Sequence, residues 1–140
     1  MQTFLPYANF KKSAEVLDYK RLGKQRVEAS QILDCIAGIG SKRWINHPAV
    51  QMWFDYPDAL CEYYNTVLDE WMDRGYNNNM PYREPKQPIE MPNWFGFEPF
   101  HRTHRSMLVY KNSDYYYPIF KIPPIYGYVW PRRKHASSRP

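Results

Sequence analysis

Apolar residues keep helical spacing over two long stretches of this chain, and glycine or proline punctuates both. The first stretch runs from about Ala14 to Ala37, with Leu22, Ala29, Leu33 and Ile36 near one face. Ser13 is placed to cap its start, Glu15 sits in the first turn, and Gly38 and Gly40 supply the stop. Gly23 weakens such a helix by about 1 kcal/mol relative to Ala. It is read here as room for close approach of another backbone. The second region opens at Pro48, suited to a first helical position after Asn46 and His47, and Pro57 breaks or kinks it. From Pro57 to Arg74 the period is kept by Leu60, Tyr64, Val67, Leu68 and Trp71, and Gly75 ends the run. Asp58, Glu62, Asp69 and Asp73 fall on the opposite face, which is assigned to solvent. A third helix is expected from about Pro99 to Tyr110.

The remaining chain is irregular in pattern. Residues 76–98 hold Asn77-Asn78-Asn79 with Pro81, Pro85, Pro88 and Pro92, which predicts a long loop of the functional or mobile kind. Residues 112–131 are dense in Tyr and Pro and are expected to be irregular but ordered. The fold class predicted is mainly α: a compact single domain of about three helices, residues 1–131, with long Pro/Tyr-rich segments. Residues 132–140 read as a basic C-terminal tail. A chain of 140 residues has room for one core, and a second is not expected.

Charge is distributed unevenly. Residues 1–43 carry eight Lys/Arg against four Asp/Glu, 44–75 one against six, and 101–140 eight against one. If the two basic ends meet on folding, they form a positive face suited to a polyanion, with an acidic back. The alternative is a charge excess that serves solubility only. No window is apolar enough to span a membrane, and the first residues lack the pattern of a secretory signal, so a cytoplasmic location is expected. Cys35 and Cys61 lie in apolar-periodic segments and read as reduced core residues. No Cys/His cluster has zinc-ligand spacing, so neither metal nor cofactor is expected.

The stretch Leu17 to Glu28 carries the most chemistry. On a helix, Arg21, Gln25, Glu28 and Ile32 share one stripe, and Lys24 sits one turn before Glu28. Cations there would attract phosphates, and a lone carboxylate among them is a candidate general base. The plainer alternative is an exposed face with a Lys24–Glu28 pair worth about 0.3–0.5 kcal/mol.

This stretch resembles the first long helix of the pyrimidine-dimer DNA glycosylases, the phage endonuclease V type of repair enzyme. The family pattern of Leu-Asp, then Arg-Leu, then a catalytic Glu matches Leu17-Asp18, Arg21-Leu22 and Glu28. Asn46-His47-Pro48, Asp73-Arg74-Gly75-Tyr76, the run from His101 to Leu108 and Tyr126-Gly127-Tyr128-Val129-Trp130 continue the likeness over most of residues 1–130. The resemblance implies a DNA glycosylase whose nucleophile is the α-amino group, attacking C1′ of the damaged nucleotide to form a Schiff base. It implies that Glu28 stabilises the sugar cation and assists loss of the C2′ proton, which leads to AP-lyase cleavage by β-elimination. An α-amine titrates near 7.7–8, far below lysine, which makes it a usable nucleophile. The resemblance also departs at two places. Residue 2 is Gln where the best-known members expose a small residue, so the reacting amine belongs to Met1 if that residue is retained and to Gln2 if it is removed. A Gln2 amine is open to cyclisation, which puts the lyase step in question. Val27 also replaces an Arg that precedes the catalytic Glu in some members.

The expected partner is double-stranded DNA bearing a pyrimidine dimer or another altered base, met by a monomer in a bacterial or phage-infected cell. Arg21, Lys24, Gln25 and Arg26 are expected at the DNA, together with His47, His101, Arg102, His104 and Arg105. Tyr126, Tyr128 and Trp130 alternate and are read as stacking or wedging groups, and Arg132 and Arg133 as phosphate contacts. His47 has a competing role as a helix cap, and Trp130 one in the core. The alternatives kept open are a non-catalytic DNA-binding module of the same fold and a structural or interaction domain.

Overall fold

A computed structural model describes residues 1–133. Among these residues there are six helices: α1 (Phe10–Val16), α2 (Tyr19–Ile36), α3 (Pro48–Gln51), α4 (Pro57–Asp73), α5 (Glu98–Lys111) and α6 (Ser113–Phe120). No strand occurs among the described residues. The mainly helical class holds, but the number of helices is twice that expected. No helix among the described residues is long and apolar enough to cross a membrane.

The first expected helix is in fact two. Leu17 and Asp18 adopt extended ψ values of 139° and 158°, and Asp18 caps α2 by accepting from the Arg21 N–H at 3.4 Å. Asn9, rather than Ser13, caps α1, accepting from Lys12 at 2.8 Å. Short polar side chains compete with the helical backbone, so Asp at position 18 ends one helix and starts the next. Ser13 is buried inside α1, where its hydroxyl bonds both the N–H and the carbonyl of Tyr7. The second expected region also splits, as Pro57 required: α3 ends before it and α4 begins at it, with Gly75 at φ 88° closing α4. The segment expected to be irregular after residue 112 begins instead with α6. Asn112 caps this helix, and Pro118 lies within it.

Helices α2 and α4 form the main packed pair, with α1 against α4 and α6 against α5. Leu22, Ala29 and Ile32 from α2 meet Leu60, Tyr64, Val67 and Leu68 from α4 in the fully buried core. The close approach expected at Gly23 is to a ring, not a backbone: a Cβ there would lie 3.1 Å from the Trp71 indole. Asp18 also ties α6 to α2. Its N–H donates to the Tyr116 hydroxyl at 2.9 Å, and that hydroxyl donates back to its carboxylate.

The long loop, irregular as expected, is fastened to the helices. Asn65 bonds Arg83 through both backbone groups, and Arg83 reaches Asp34 at 2.9 Å and the Ser30 hydroxyl at 2.7 Å. Cys35 and Cys61 are both buried and free.

Candidate functional site

Residues 1–7 run through the interior without a partner strand, so their buried peptide groups need side-chain partners. The Gln2 N–H donates to Glu28 Oε2 at 2.9 Å, and the Gln2 carbonyl accepts from Gln25 Nε2 at 2.9 Å. The same Gln25 accepts from the Phe4 N–H at 2.8 Å through Oε1. The Tyr63 hydroxyl lies 2.9 Å from the Phe4 carbonyl and 2.6 Å from Gln25 Oε1. Burial, then the charge of Glu28, pushes this phenol well up, which keeps it a donor. The Trp53 indole N–H holds the Thr3 hydroxyl at 2.9 Å.

Two histidines grip the next residue. His104 Nδ1 accepts from the Leu5 N–H at 2.9 Å, and His101 Nδ1 lies 2.8 Å from the Leu5 carbonyl. His101 Nε2 accepts from the Gly96 N–H at 3.0 Å, so its Nδ1 carries the proton and donates to Leu5. Arg105 completes the series by donating to the Pro6 carbonyl at 2.7 Å. Residues from α2, α4 and α5 thus fix the course of the N-terminus. His101, His104 and Gln25 are buried. The structure places these three, expected at the DNA, in the interior, where Gln25 and the Nδ1 atoms of both histidines bond the chain's own first residues.

The end of this segment opens into a cleft of about 320 Å³ lined by Met1, Gln2, Phe4, Arg21, Lys24, Gln25, Glu28, Lys111 and Tyr128. Arg21 and Lys24 come from the basic N-terminal part and Lys111 from the basic C-terminal part, so the two ends meet here. Lys111, the last residue of α5, was not singled out from sequence; only its place in a basic region marked it. Glu28 is half-buried and faces the cleft between these cations. His47 stands close by. Its pKa is lowered by burial, then by the N-terminal amine, while Glu28 pulls it upward. Its Nδ1 accepts from the Ala49 N–H at 3.0 Å, which is the helix-capping role weighed from sequence. Its ring lies against Trp44 and Trp130.

A second groove, about 480 Å³, lies along the other flank of Glu28 and shares Lys24 with the first. Tyr19, Lys20, Val27 and Trp71 line it, and none of these was singled out as a site residue. Tyr76 lies 4.5 Å from Trp71 and 6.1 Å from Tyr19, ring to ring.

The other expected DNA contacts are scattered. Arg26 turns away from the cleft, bonding Asn78 at 2.8 Å with its guanidinium 4.2 Å over Trp71. Arg105 is held by Glu98 at 2.6 Å as well as by Pro6, so it is not a free phosphate clamp. Arg133 lies 3.6 Å over the Phe54 ring and 3.7 Å from Asp55. Arg102 and Arg132 are exposed, and Tyr126 is 74 % exposed, edge-on to Tyr110. Trp130 packs half-buried between His47 and Tyr128. Of the expected tail, Lys134 to Pro140 lie outside the described residues. No group of His, Cys, Asp and Glu among the described residues is arranged to hold a metal.

A family model described as pyrimidine dimer DNA glycosylase matches residues 1–84. The matched span covers the threaded N-terminus, Arg21, Lys24 and Glu28, together with α4. No curated protein and no solved structure matches the chain.

Proposed function

The chain belongs to the pyrimidine dimer DNA glycosylase family, and on that premise we propose that it releases a damaged base from double-stranded DNA by attack of its own N-terminal amine. The observation that carries this reading is the convergence of Met1, Gln2 and Glu28 in one cleft with Arg21, Lys24 and Lys111. An amine, a carboxylate and three cations are the groups that such chemistry uses.

The nucleotide is extruded from the stack, at a cost of a few kcal/mol that is smaller at a lesion. Arg21, Lys24 and Lys111 hold its flanking phosphates. The neutral amine of Met1, or of Gln2 where Met1 is removed, attacks C1′. The bond from C1′ to the base breaks, and its electron pair leaves with the base. The ammonium so formed gives up one proton, the departing base takes one up, and the bond from C1′ to the ring oxygen then breaks, leaving a protonated Schiff base and a 4′-hydroxyl. Glu28 stabilises the positive charge developing on the sugar, a role for which a carboxylate in a partly dehydrated cleft is well placed. In the lyase step Glu28 takes the C2′ proton, and the bond from C3′ to its phosphate oxygen breaks. The substrate is a pyrimidine dimer or another altered base.

One contact favours a second reading, a DNA-binding module without catalysis. The Gln2 peptide N–H occupies Glu28 Oε2, which leaves that oxygen less free for chemistry while Met1 is retained. Incubation with duplexes carrying a pyrimidine dimer, a modified pyrimidine or an abasic site separates the two. The enzyme reading expects base release from at least one altered duplex and its loss in Glu28→Gln. Tight, salt-sensitive binding with no glycosidic-bond cleavage, read as base release from the modified pyrimidine or as an alkali-labile strand break at the dimer, contradicts it.

A further inference from the structure

Glu28 stands between two hollows. The cleft described above holds Met1 and Gln2, the groove on the other flank holds Tyr19, Gly23, Val27 and Trp71, and the two meet only at Lys24 and Glu28. The division follows from the turn of α2. Residues four apart share a stripe, so Tyr19, Gly23, Val27 and Gln31 line the groove, and Lys20, Lys24 and Glu28 form the ridge beside them. At about 480 Å³ the groove is the larger of the two, and it falls within the range of about 300–1,000 Å³ that small-molecule sites occupy.

The groove has a fixed wall and an open one. The Trp71 indole N–H donates to the Asn77 carbonyl at 2.8 Å, and the Arg26 guanidinium lies 4.2 Å over the ring. Gly23 forms the floor, where a Cβ would come 3.1 Å from that ring, so even an alanine would press on the indole. Its φ is not positive, so the backbone itself does not call for glycine. Across the floor, Tyr19 is 53 % exposed and Val27 44 %, which leaves a ring face and an apolar patch open beside Lys20 and Lys24. Open ring faces beside cations suit an unstacked base and its phosphate. Gln31, exposed in the same stripe, offers an amide donor and a carbonyl acceptor to a base edge.

We propose that this groove receives the pyrimidine being released, laid against the Tyr19 ring, while its sugar stays at Glu28. This rests on the glycosylase reading above. An amine that displaces a base attacks C1′ from the side opposite the bond that breaks. Met1 and Gln2 lie on one side of Glu28 and the groove on the other. A sugar at Glu28 with C1′ facing the amine therefore directs its base into the groove. Only the target base is bonded to that sugar, whereas the base of the facing strand has no such tie to Glu28. A preformed abasic site brings no base, so the groove takes no part in the lyase step.

The test separates the two steps with duplexes carrying a thymine dimer, 5-hydroxymethyluracil or a preformed abasic site. Tyr19→Ala removes the ring from an exposed position, and Tyr19→Phe keeps it. Glycosidic-bond cleavage at an altered base is expected to fall about tenfold in Tyr19→Ala and to match the wild type in Tyr19→Phe. Borohydride trapping on the abasic duplex is expected to match the wild type in both. Val27→Trp fills the groove from a second exposed position, and it too is expected to lose cleavage and keep trapping. Equal loss in both assays assigns the groove to the facing strand or to the backbone and overturns the proposal. Unimpaired cleavage in Tyr19→Ala and Val27→Trp overturns it as well, and leaves the glycosylase reading standing. A wild type that traps abasic DNA but cleaves neither altered duplex also overturns it. A wild type that does neither fails the glycosylase reading, and this inference falls with it.

Discussion

The peptide nitrogen of Gln2 stands 2.9 Å from Oε2 of Glu28, across 26 residues of sequence. That contact joins the chain's first residues to α2 at the one carboxylate of the electropositive cleft. Everything that anchors residues 2–6 also aims the terminal amine.

Glu28→Gln is expected to keep the Gln2 contact, because its amide oxygen still accepts, while removing the charge. Base release and strand cleavage should fall by about 10²–10⁴-fold. Affinity for a lesion duplex at fixed salt should change by about threefold or less, as read by fluorescence anisotropy. Full activity in the variant removes Glu28 from the mechanism.

Gln25 is a structural support in this account. Gln25→Leu leaves the Phe4 N–H and the Gln2 carbonyl buried without their partners. Each such group costs about 1–3 kcal/mol, so a loss of about 2–5 kcal/mol is expected in urea unfolding. A variant as stable as the wild type, with weakened DNA binding, would return Gln25 to the interface.

Acid should unfold the protein through His104. Burial, then His101, pulls its pKa down to about 3, and its Nδ1 must be unprotonated to accept from Leu5. The unfolded ring titrates near 6.5, so below that pH the unfolded chain binds the extra proton. The contribution is complete above about pH 6.5 and is lost as pH falls toward 3, with a slope approaching about 1.4 kcal/mol per pH unit. Burial lowers His101 as well, which adds loss in the same direction. Unfolding free energies at pH 7, 6 and 5 check this; a flat profile over that range contradicts it.

Cations in the cleft and cations held elsewhere should behave differently. Lys24→Ala and Lys111→Ala are each expected to lower the slope of log affinity against log salt by about 0.9, and Arg21→Ala by less, because Asp18 already pairs with Arg21 at 3.2 Å. Arg105→Ala should leave that slope unchanged and lower the melting temperature instead, because Arg105 serves Pro6 and Glu98. The reverse pattern would place the DNA at Arg105 rather than at the cleft.

Helical period alone put Arg21, Lys24, Gln25 and Glu28 on one side of α2, and the cleft collects all four. Period does not say how deep each residue sits, so Gln25 was grouped with the exposed cations although it is 1 % exposed. The burial of the α5 histidines was hidden for a related reason. A polar side chain in a basic segment reads as surface, and only the threading of residues 1–7 gives the interior a peptide that needs such partners. The division at Asp18 was written in its preference for a cap, but the apolar spacing on either side concealed it. Tyr19 and Trp71 came together only through tertiary packing over Gly23, which no local pattern records.

The most direct measurement is peptide mapping of the adduct formed when the protein, abasic-site DNA and borohydride are incubated together. The account predicts a covalent DNA remnant on the first residue of the mature chain, and its loss when that amine is acetylated beforehand. An adduct on Lys24 or Lys111, or none at all, would contradict it.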